Sequence, residues 1–359
     1  MAYTNIDDPS AYFQTTTYTG NGANTEVTNS GNSDLKPDFL WIKNRTAGYG
    51  HFVVDSNRNI SYAQNSSNAP YLETESTAAE NSNQNWMASV NTDGFTTGIA
   101  EHINNNSGSA YVAWQWKANG GTTASNTEGN TTTTVQANQD AGFSIVTYTG
   151  TGSSSQTMGH GLGVTPNIVL TKARSGTSNW SFNGNFGGMT YGTNRLLLNT
   201  TAALTADTNE VTAASSTTFT GGGSAGVNSN GATYVAYCFA DVQGYSKFGK
   251  YVGNASANGS FIYTGFQPAW VMIKGADVAD DWYIFDNKRA GYNPEVFRLR
   301  ANTTGTETTG TNNTVDHLSN GFKLRFTGGS INGSGSTYIY MAFAENPFVT
   351  STGVPTTAR

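Results

Sequence analysis

Apolar residues in this chain recur at every second position in short runs, cut off by clusters of Gly, Ser, Asn and Thr, and that two-residue period predicts strands. In one run Pro37 leads through Phe39 and Trp41 to Lys43. Pro166 leads in the same way through Ile168 and Leu170 to Lys172, and Pro268 through Trp270 and Met272 to Lys274. A proline opens a strand where its missing N–H does least harm. The positions between (Leu40 and Ile42, Val169 and Thr171, Val271 and Ile273) are largely apolar too. A strand apolar on both faces is a buried inner strand, and its final lysine marks the expected exit to solvent. No segment sustains a helical period.

Three other blocks recur with this one, always in the same order. An opening block reads Tyr18-Thr19-Gly20, Tyr148-Thr149-Gly150 and Tyr251-Val252-Gly253. A third block centres on Leu198-Asn199-Thr200-Thr201 and Ala301-Asn302-Thr303-Thr304, with a fainter match at 71–77. A closing block places Tyr111, Tyr234 and Tyr338 three residues after Gly108, Gly231 and Gly335. From opening to closing tyrosine the separations are 93, 86 and 87 residues. The pattern predicts an all-β chain of three tandem antiparallel β-sandwich modules, jelly-roll-like in character. Module one with a leader occupies 1–121, a Thr/Asn/Gly-rich flexible linker 122–140, module two 141–244, module three 245–348 and a loosely held tail 349–359. Modules two and three join abruptly at Val242–Tyr245 and are expected to pack as a pair, with module one at an angle.

Composition narrows the function. Only 12% of the 359 residues are charged, and Ser, Thr, Asn and Gly carry the polarity, which favours turns and strands over helix. A net charge of −6 with no Lys/Arg run offers no electrostatic surface for nucleic acid. No stretch approaches the ~20 apolar residues of a membrane-spanning helix. The opening MAYTNIDDPS has neither a basic nor an apolar segment, so a secretory leader is not expected. Cys238, the single cysteine, cannot form an internal disulfide and reads as a buried, inert thiol on a closing strand.

Candidate chemistry is sparse. His51, His102, His160 and His317 lack metal-site spacing, and His160 reads as a turn or surface imidazole. A P-loop is missing from the sequence, and the stretch with the bare spacing of a nucleophile elbow and a dinucleotide fingerprint, Gly221–Gly226, opens no helical period, which both motifs require. No catalytic residue, cofactor or metal is therefore expected. Asp280-Asp281 stands beside Trp282, but the corresponding Ser178-Asn179-Trp180 carries no acid, so a solvated turn is favoured over a glycosidase pair. Asp55 and Asp286 correspond between copies, and a turn-stabilising role is favoured over calcium ligation. Trp41, Trp114, Trp116 and Trp270 align with core positions. Trp86, Trp180 and Trp282 remain as candidate glycan contacts, through stacking of sugar rings on exposed indoles.

The blocks resemble a module of tailed-bacteriophage virion structural proteins, in particular tail-fibre-like proteins of marine phages. The residues that carry the likeness are His160-Gly161-Leu162-Gly163-Val164-Thr165-Pro166, Tyr234–Phe239, the junction Gly244-Tyr245-Ser246-Lys247-Phe248-Gly249, Tyr251–Asn254 and the leader Ile6-Asp7-Asp8-Pro9-Ser10. Module one departs most, with Asn32–Lys36 in place of the glycine-rich turn. The resemblance implies a non-enzymatic virion protein assembled in the host cytoplasm, foremost a tail fibre or fibre-like appendage for host attachment. The alternatives are a capsid decoration or head-fibre protein and a glycan-binding or glycan-degrading tail protein. Expected partners are other tail or capsid proteins and a host surface glycan, with no nucleic acid and no membrane insertion. A homo-oligomer is expected, the trimer being common among fibres, although the sequence specifies no symmetry. It also carries no shaft repeat, which points to a short or distal piece.

Overall fold

The computed structural model describes residues 3–61, 69–83, 86–99 and 104–355. In the first unit, the opening strand Phe13–Thr19 pairs with the closing strand Ala110–Trp116, which pairs with the inner strand Phe39–Asn44, and that with His51–Asp55. The same order returns with Phe143–Thr149, Thr233–Phe239, Ile168–Ala173 and Ser181–Gly184. It returns again with Ser246–Val252, Thr337–Pro347, Phe266–Gly275 and Tyr283–Asp286. Every pairing among these strands is antiparallel, and the register repeats: Tyr18 lies opposite Tyr111, Tyr148 opposite Tyr234, Tyr251 opposite Tyr338. A three-stranded minor sheet accompanies each main sheet. It is built from Glu26–Val27, Phe95–Thr97 and Met87–Val90, then Gln156–Gly159, Thr218–Gly221 and Val211–Ala214, then Phe261–Tyr263, Gly321–Leu324 and Val315–Leu318. The fold is thus all-β and antiparallel, with helical turns among the described residues only at Pro9–Ala11 and Gly329–Asn332.

Period-two alternation explains why the main-sheet strands are apolar on both faces. Tyr338, Tyr340 and Ala342 of the third closing strand pack in the core that contains minor-sheet Ile262, Phe322 and Leu324. Ile339, Met341 and Phe343 point the other way. The closing strands of the other units divide likewise, sending out Val112, Trp114 and Trp116, and Val235, Tyr237 and Phe239. These outward faces meet in one interior shared by all three units. Phe39 lies 4.5 Å from Tyr237, Trp116 5.8 Å from Trp270, and Phe343 6.0 Å from Phe239 between ring centroids. The expectation of a pair with module one set at an angle is therefore corrected: the first unit is as deeply embedded as the others. Its indoles are too large and apolar to be left against water, and a second apolar face needs a second partner.

The stretch expected to be a flexible linker is also structured. Ala124–Asn126 and Thr133–Asn138 form a hairpin that pairs with Phe143–Thr149 and widens the second main sheet. The first unit clamps it, because Asn57 Nδ2 donates to the carbonyls of Thr134 (2.8 Å) and Ile145 (3.0 Å). Thr is polar yet β-branched, so a Thr run supports a strand as readily as a loop. The tail, as far as Pro355, folds back on the leader: Ser351 N–H donates to Asp7 Oδ1 (2.6 Å).

Candidate functional site

The three lysines that end the inner strands were expected at the solvent boundary. All three are fully buried. Each ammonium reaches the next unit and donates to the carbonyl of an equivalent threonine: Lys43 to Thr304 (3.0 Å), Lys172 to Thr77 (3.1 Å), Lys274 to Thr201 (3.1 Å). Burial pushes each of them down to about 8. The pattern links unit one to three, two to one and three to two, which closes a ring.

Trp180 and Trp282 belong to the same ring. Each is 1% exposed, so the glycan-stacking role expected of them is corrected. Trp180 Nε1 donates to the Glu73 carbonyl (2.8 Å) and Trp282 Nε1 to the Leu197 carbonyl (3.0 Å). His51 holds the equivalent position in the first unit. It accepts from Trp41 Nε1 at Nδ1 (2.8 Å), and its Nε2 faces the Arg300 carbonyl at 3.0 Å. That arrangement requires the neutral Nε2–H tautomer. Burial foremost, then the Lys43 charge, holds this imidazole well below its usual range.

Asp55 and Asp286 stabilise turns and also join units. Asp55 Oδ1 accepts from Arg58 N–H (3.0 Å), while Oδ2 accepts from Arg58 Nε (2.6 Å) and from Tyr237 Oη of the second unit (2.6 Å). Arg58 continues to Glu80 (2.7 Å), which holds Arg174 of the second unit in a two-pronged pair at 2.9 Å. The one-to-three contact repeats this with Trp114, Asp286, Arg289, Glu307 and Arg45. At the three-to-two contact the equivalent positions are Met341, Gly184, Gly187, Leu204 and Ala276. The backbone bond is kept, Leu204 N–H to the Ala276 carbonyl (2.7 Å), while every charged member has become apolar. A side chain at Gly187, where φ is +66°, would meet Ile339 Cγ2 at 2.7 Å.

The opening and closing tyrosines fix the loops at the far end of each unit. Their rings stack at 5.1, 5.2 and 5.1 Å in the three units. The closing hydroxyls accept from the N–H of Asn106 (2.7 Å), Ser229 (2.8 Å) and Gly333 (2.8 Å). A Cβ at Gly20, Gly150 or Gly253 would run into the carbonyl of Asn106, Ser229 or Gly333, which explains the opening glycine.

The other candidates take structural places. Trp86 is half-buried, its ring centroid 4.1 Å from that of Tyr71. His160 is buried rather than at the surface, accepting from Leu162 N–H at Nδ1 (3.2 Å) with Nε2 facing the Ser215 carbonyl at 3.2 Å. Its turn closes over the core, where a solvated imidazole would leave Leu162 N–H unpaired. Burial pushes the Cys238 thiol up to about 12. Asp281 faces Arg300 and Asn302, and Asp280 accepts from Tyr283 Oη (3.0 Å). His102 lies outside the described residues. No three His, Cys, Asp or Glu among the described residues form a metal-sized cluster, and no described helix is long and apolar enough to cross a membrane.

Clefts open to a ligand include one of about 480 Å³ in the third unit, lined by Asn293, Pro294, Asp316 and Arg325, and a set of three that sequence reasoning missed. Of these three, two lie where the chain leaves a closing strand and enters the next opening strand, and the third where the last closing strand ends beside the first opening strand, so all three sit at the same end of their main sheets. The first, of about 620 Å³, is lined by Tyr12, Lys117, Asn119, Gln139 and Asp140. The second, of about 430 Å³, is lined by Tyr3, Asp241, Gln243, Lys247 and Tyr263. The third, of about 280 Å³, is lined by Phe13, Thr15, Asn32, Lys288, Glu345 and Asn346. Lys247 pairs with Asp241 at 2.6 Å and Lys288 with Glu345 at 2.8 Å. Thr15 is 3% exposed, and its hydroxyl has no hydrogen-bond partner among the described residues. The segments at these strand ends carry no repeat of their own, so only comparison of the units reveals the clefts.

The arrangement defines an all-β protein in which three like sandwiches close around one core and leave polar clefts at their junctions. The chain belongs to the family described as domain of unknown function DUF7483, which matches residues 8–347, from the leader to the last closing strand. No curated protein and no solved structure matches it.

Proposed function

We propose that this chain is a non-enzymatic structural protein of a tailed-bacteriophage virion, a compact fibre-like appendage that takes part in attachment to the host surface. The observation that carries the non-enzymatic part is how the buried ionisable groups of the repeated blocks are used. Lys43, Lys172 and Lys274, both Asp–Arg turns and His51 are all committed to contacts between units, and none lines a cleft. Catalysis needs such groups convergent on a space that a substrate can enter. The virion assignment rests on the resemblance carried by the Gly244–Gly249 junction and the blocks around it. The solvent-facing clefts suit many weak contacts multiplied by copy number. Other tail proteins are its proposed partners on the particle.

A second reading, capsid decoration, is favoured by one feature: a single chain already supplies three like lobes. Both readings are tested by gold-labelled antibody against this protein on purified particles, together with binding of the purified chain to host cells. Label at the tail and saturable cell binding are the expected results. Label spread over the capsid would replace attachment with decoration, and particles without label would end the virion assignment.

A further inference from the structure

The first strand of each minor sheet is an edge, and the three units treat that edge differently. Cross-strand register makes the three strands comparable. Val27 lies opposite Phe95, Met158 opposite Phe219 and Ile262 opposite Phe322, each pair in the core of its own unit. The flanking positions point the opposite way: Glu26 and Thr28 in the first unit, Thr157 and Gly159 in the second, Phe261 and Tyr263 in the third. An edge strand offers N–H and C=O groups to any other strand, so it is normally charged or covered. The first unit places the exposed carboxylate of Glu26 there. The second covers its edge with the chain's own hairpin. Thr131 N–H donates to the Thr157 carbonyl (3.2 Å), Thr157 N–H to Asn130 Oδ1 (2.8 Å) and Thr133 Oγ1 to the Gly159 carbonyl (2.9 Å). The same hairpin pairs with the opening strand of the main sheet beside it.

The third unit does neither. Phe261 and Tyr263 are 45% and 56% exposed on one face, and their strand has no neighbouring strand on its outer side among the described residues. Ser246–Val252, the edge of the main sheet, likewise has no strand beyond it. Exposed aromatic surface on an open edge marks a contact site. The charges nearby indicate what sits on it. Lys250 on the main-sheet edge and Lys323, directly opposite Phe261, have no ion-pair partner among the described residues. Asp316, on the other side of Lys323, is taken by Arg325 (2.5 Å). A chain of net charge −6 thus carries unpaired positive charge around its open edge. A second copy docked edge to edge would bring these lysines together, whereas an acidic strand would neutralise them.

We infer that this edge is a strand-docking site for another polypeptide. An extended segment with acidic side chains pairs with Phe261–Tyr263 as the hairpin does with Thr157 and Gly159, and covers the two rings. The site goes beyond the attachment reading and does not depend on it. The probe is a labelled peptide of residues 126–138, the strand that this chain itself uses, with two further versions in which alternate threonines are replaced by glutamate or by lysine. Each is titrated against the full chain by fluorescence anisotropy. The glutamate peptide should bind most tightly and the lysine peptide least, and the amides of Phe261 and Tyr263 should gain protection from hydrogen exchange. Phe261→Thr with Tyr263→Thr should weaken the glutamate peptide about tenfold or more, with no fall in the unfolding midpoint, since both side chains are exposed. Lys250→Glu with Lys323→Glu should reverse the order of the glutamate and lysine peptides. Tyr292→Ala, an exposed aromatic elsewhere, is the control and should change nothing. Absence of saturable binding, or equal affinity in the double threonine variant, would overturn the inference. Parent and variant should sediment alike; a dimer of the parent that the variant loses would make the occupant a second copy and overturn it too. Peptide binding together with unlabelled particles would leave the docking site standing and end the virion assignment, and labelled particles without peptide binding would do the reverse.

Discussion

Glu295 shows at the scale of one residue how burial makes this molecule sensitive to pH. Its side chain is almost wholly enclosed, Oε1 accepts from Phe297 N–H (3.0 Å), and Oε2 has no partner among the described residues. Burial foremost, then the charge of Asp286, pushes it up to about 8 from an ordinary 4.5. The folded chain therefore holds a proton that the unfolded chain releases near pH 4.5. Its contribution to stability is complete below that value and is lost as pH rises through 8. Glu295→Gln mimics the protonated group. It should raise stability at pH 8 by something on the order of 2–4 kcal/mol and leave it unchanged at pH 4. Chemical denaturation at the two pH values checks this; an equal gain at both would contradict it. The lysine ring works in a different window. With Lys43, Lys172 and Lys274 held near 8 instead of 10.5, the unfolded chain binds more protons between those values, so stability rises with pH there. Lys172→Met should flatten that rise between pH 8 and 10, read from the same denaturation curves.

At the scale of elements, the Asp-x-x-Arg turns after the fourth strands of units one and three are joints between neighbours. Asp55→Ala would leave Arg58, with no exposed side-chain surface, with Glu80 as its one remaining carboxylate partner among the described residues and would strip Tyr237 Oη of its acceptor. Breaking one partner of a buried pair costs about 3–5 kcal/mol, whereas replacing a whole buried set with apolar residues is often close to neutral. The chain contains its own example of the second case, in the Met341, Gly184 and Gly187 contact. The triple variant Asp55→Ala, Arg58→Met, Tyr237→Met should therefore recover a large part of what Asp55→Ala loses, as measured by a mutant cycle in urea. Additive losses would show that the network is not a coupled unit. These joints also mark how far sequence reading reached. The strands were legible because proline, period-two apolar runs and glycine turns are local signals. The correspondence of Asp55 with Asp286 was legible too, and so was its turn role. Its partners were not, because Tyr237 lies 182 positions from Asp55 and Trp114 lies 172 from Asp286. The readable trace is correlated change: a hydrogen-bonding aromatic at 114 and 237 goes with an aspartate in the neighbouring unit, and methionine at 341 goes with glycine at 184. The lysines misled for a related reason. A charge at a strand end is usually solvated, and here carbonyl acceptors, one of them from another unit in each case, make its burial tolerable. The clefts left no local trace at all, since they are built from segments of different units.

For the whole molecule, the shared interior decides whether the chain behaves as beads or as one body. Each unit has a core of its own, which alone would favour independent unfolding. The common core outweighs this. It takes the outward faces of all three closing strands, and Trp270 lies within it, its ring 5.8 Å from Trp116 and 5.8 Å from Phe343. Trp270→Ala removes one of the largest fully buried side chains, where truncation typically costs about 3–5 kcal/mol. If the units were independent, that loss would be confined to the third. With a common core it should lower the transition of every unit together. Cys238 of the second unit is a built-in reporter, because its thiol is fully buried and reacts only when that unit opens. Thiol labelling during urea unfolding should follow the same curve as tryptophan fluorescence in the parent, and both curves should shift by the same amount in Trp270→Ala. A Cys238 curve that stays in place while fluorescence shifts would mean that the second unit holds itself together. The same coupling bears on the proposed attachment role, since clefts at the junctions keep their shape only while neighbouring units stay docked.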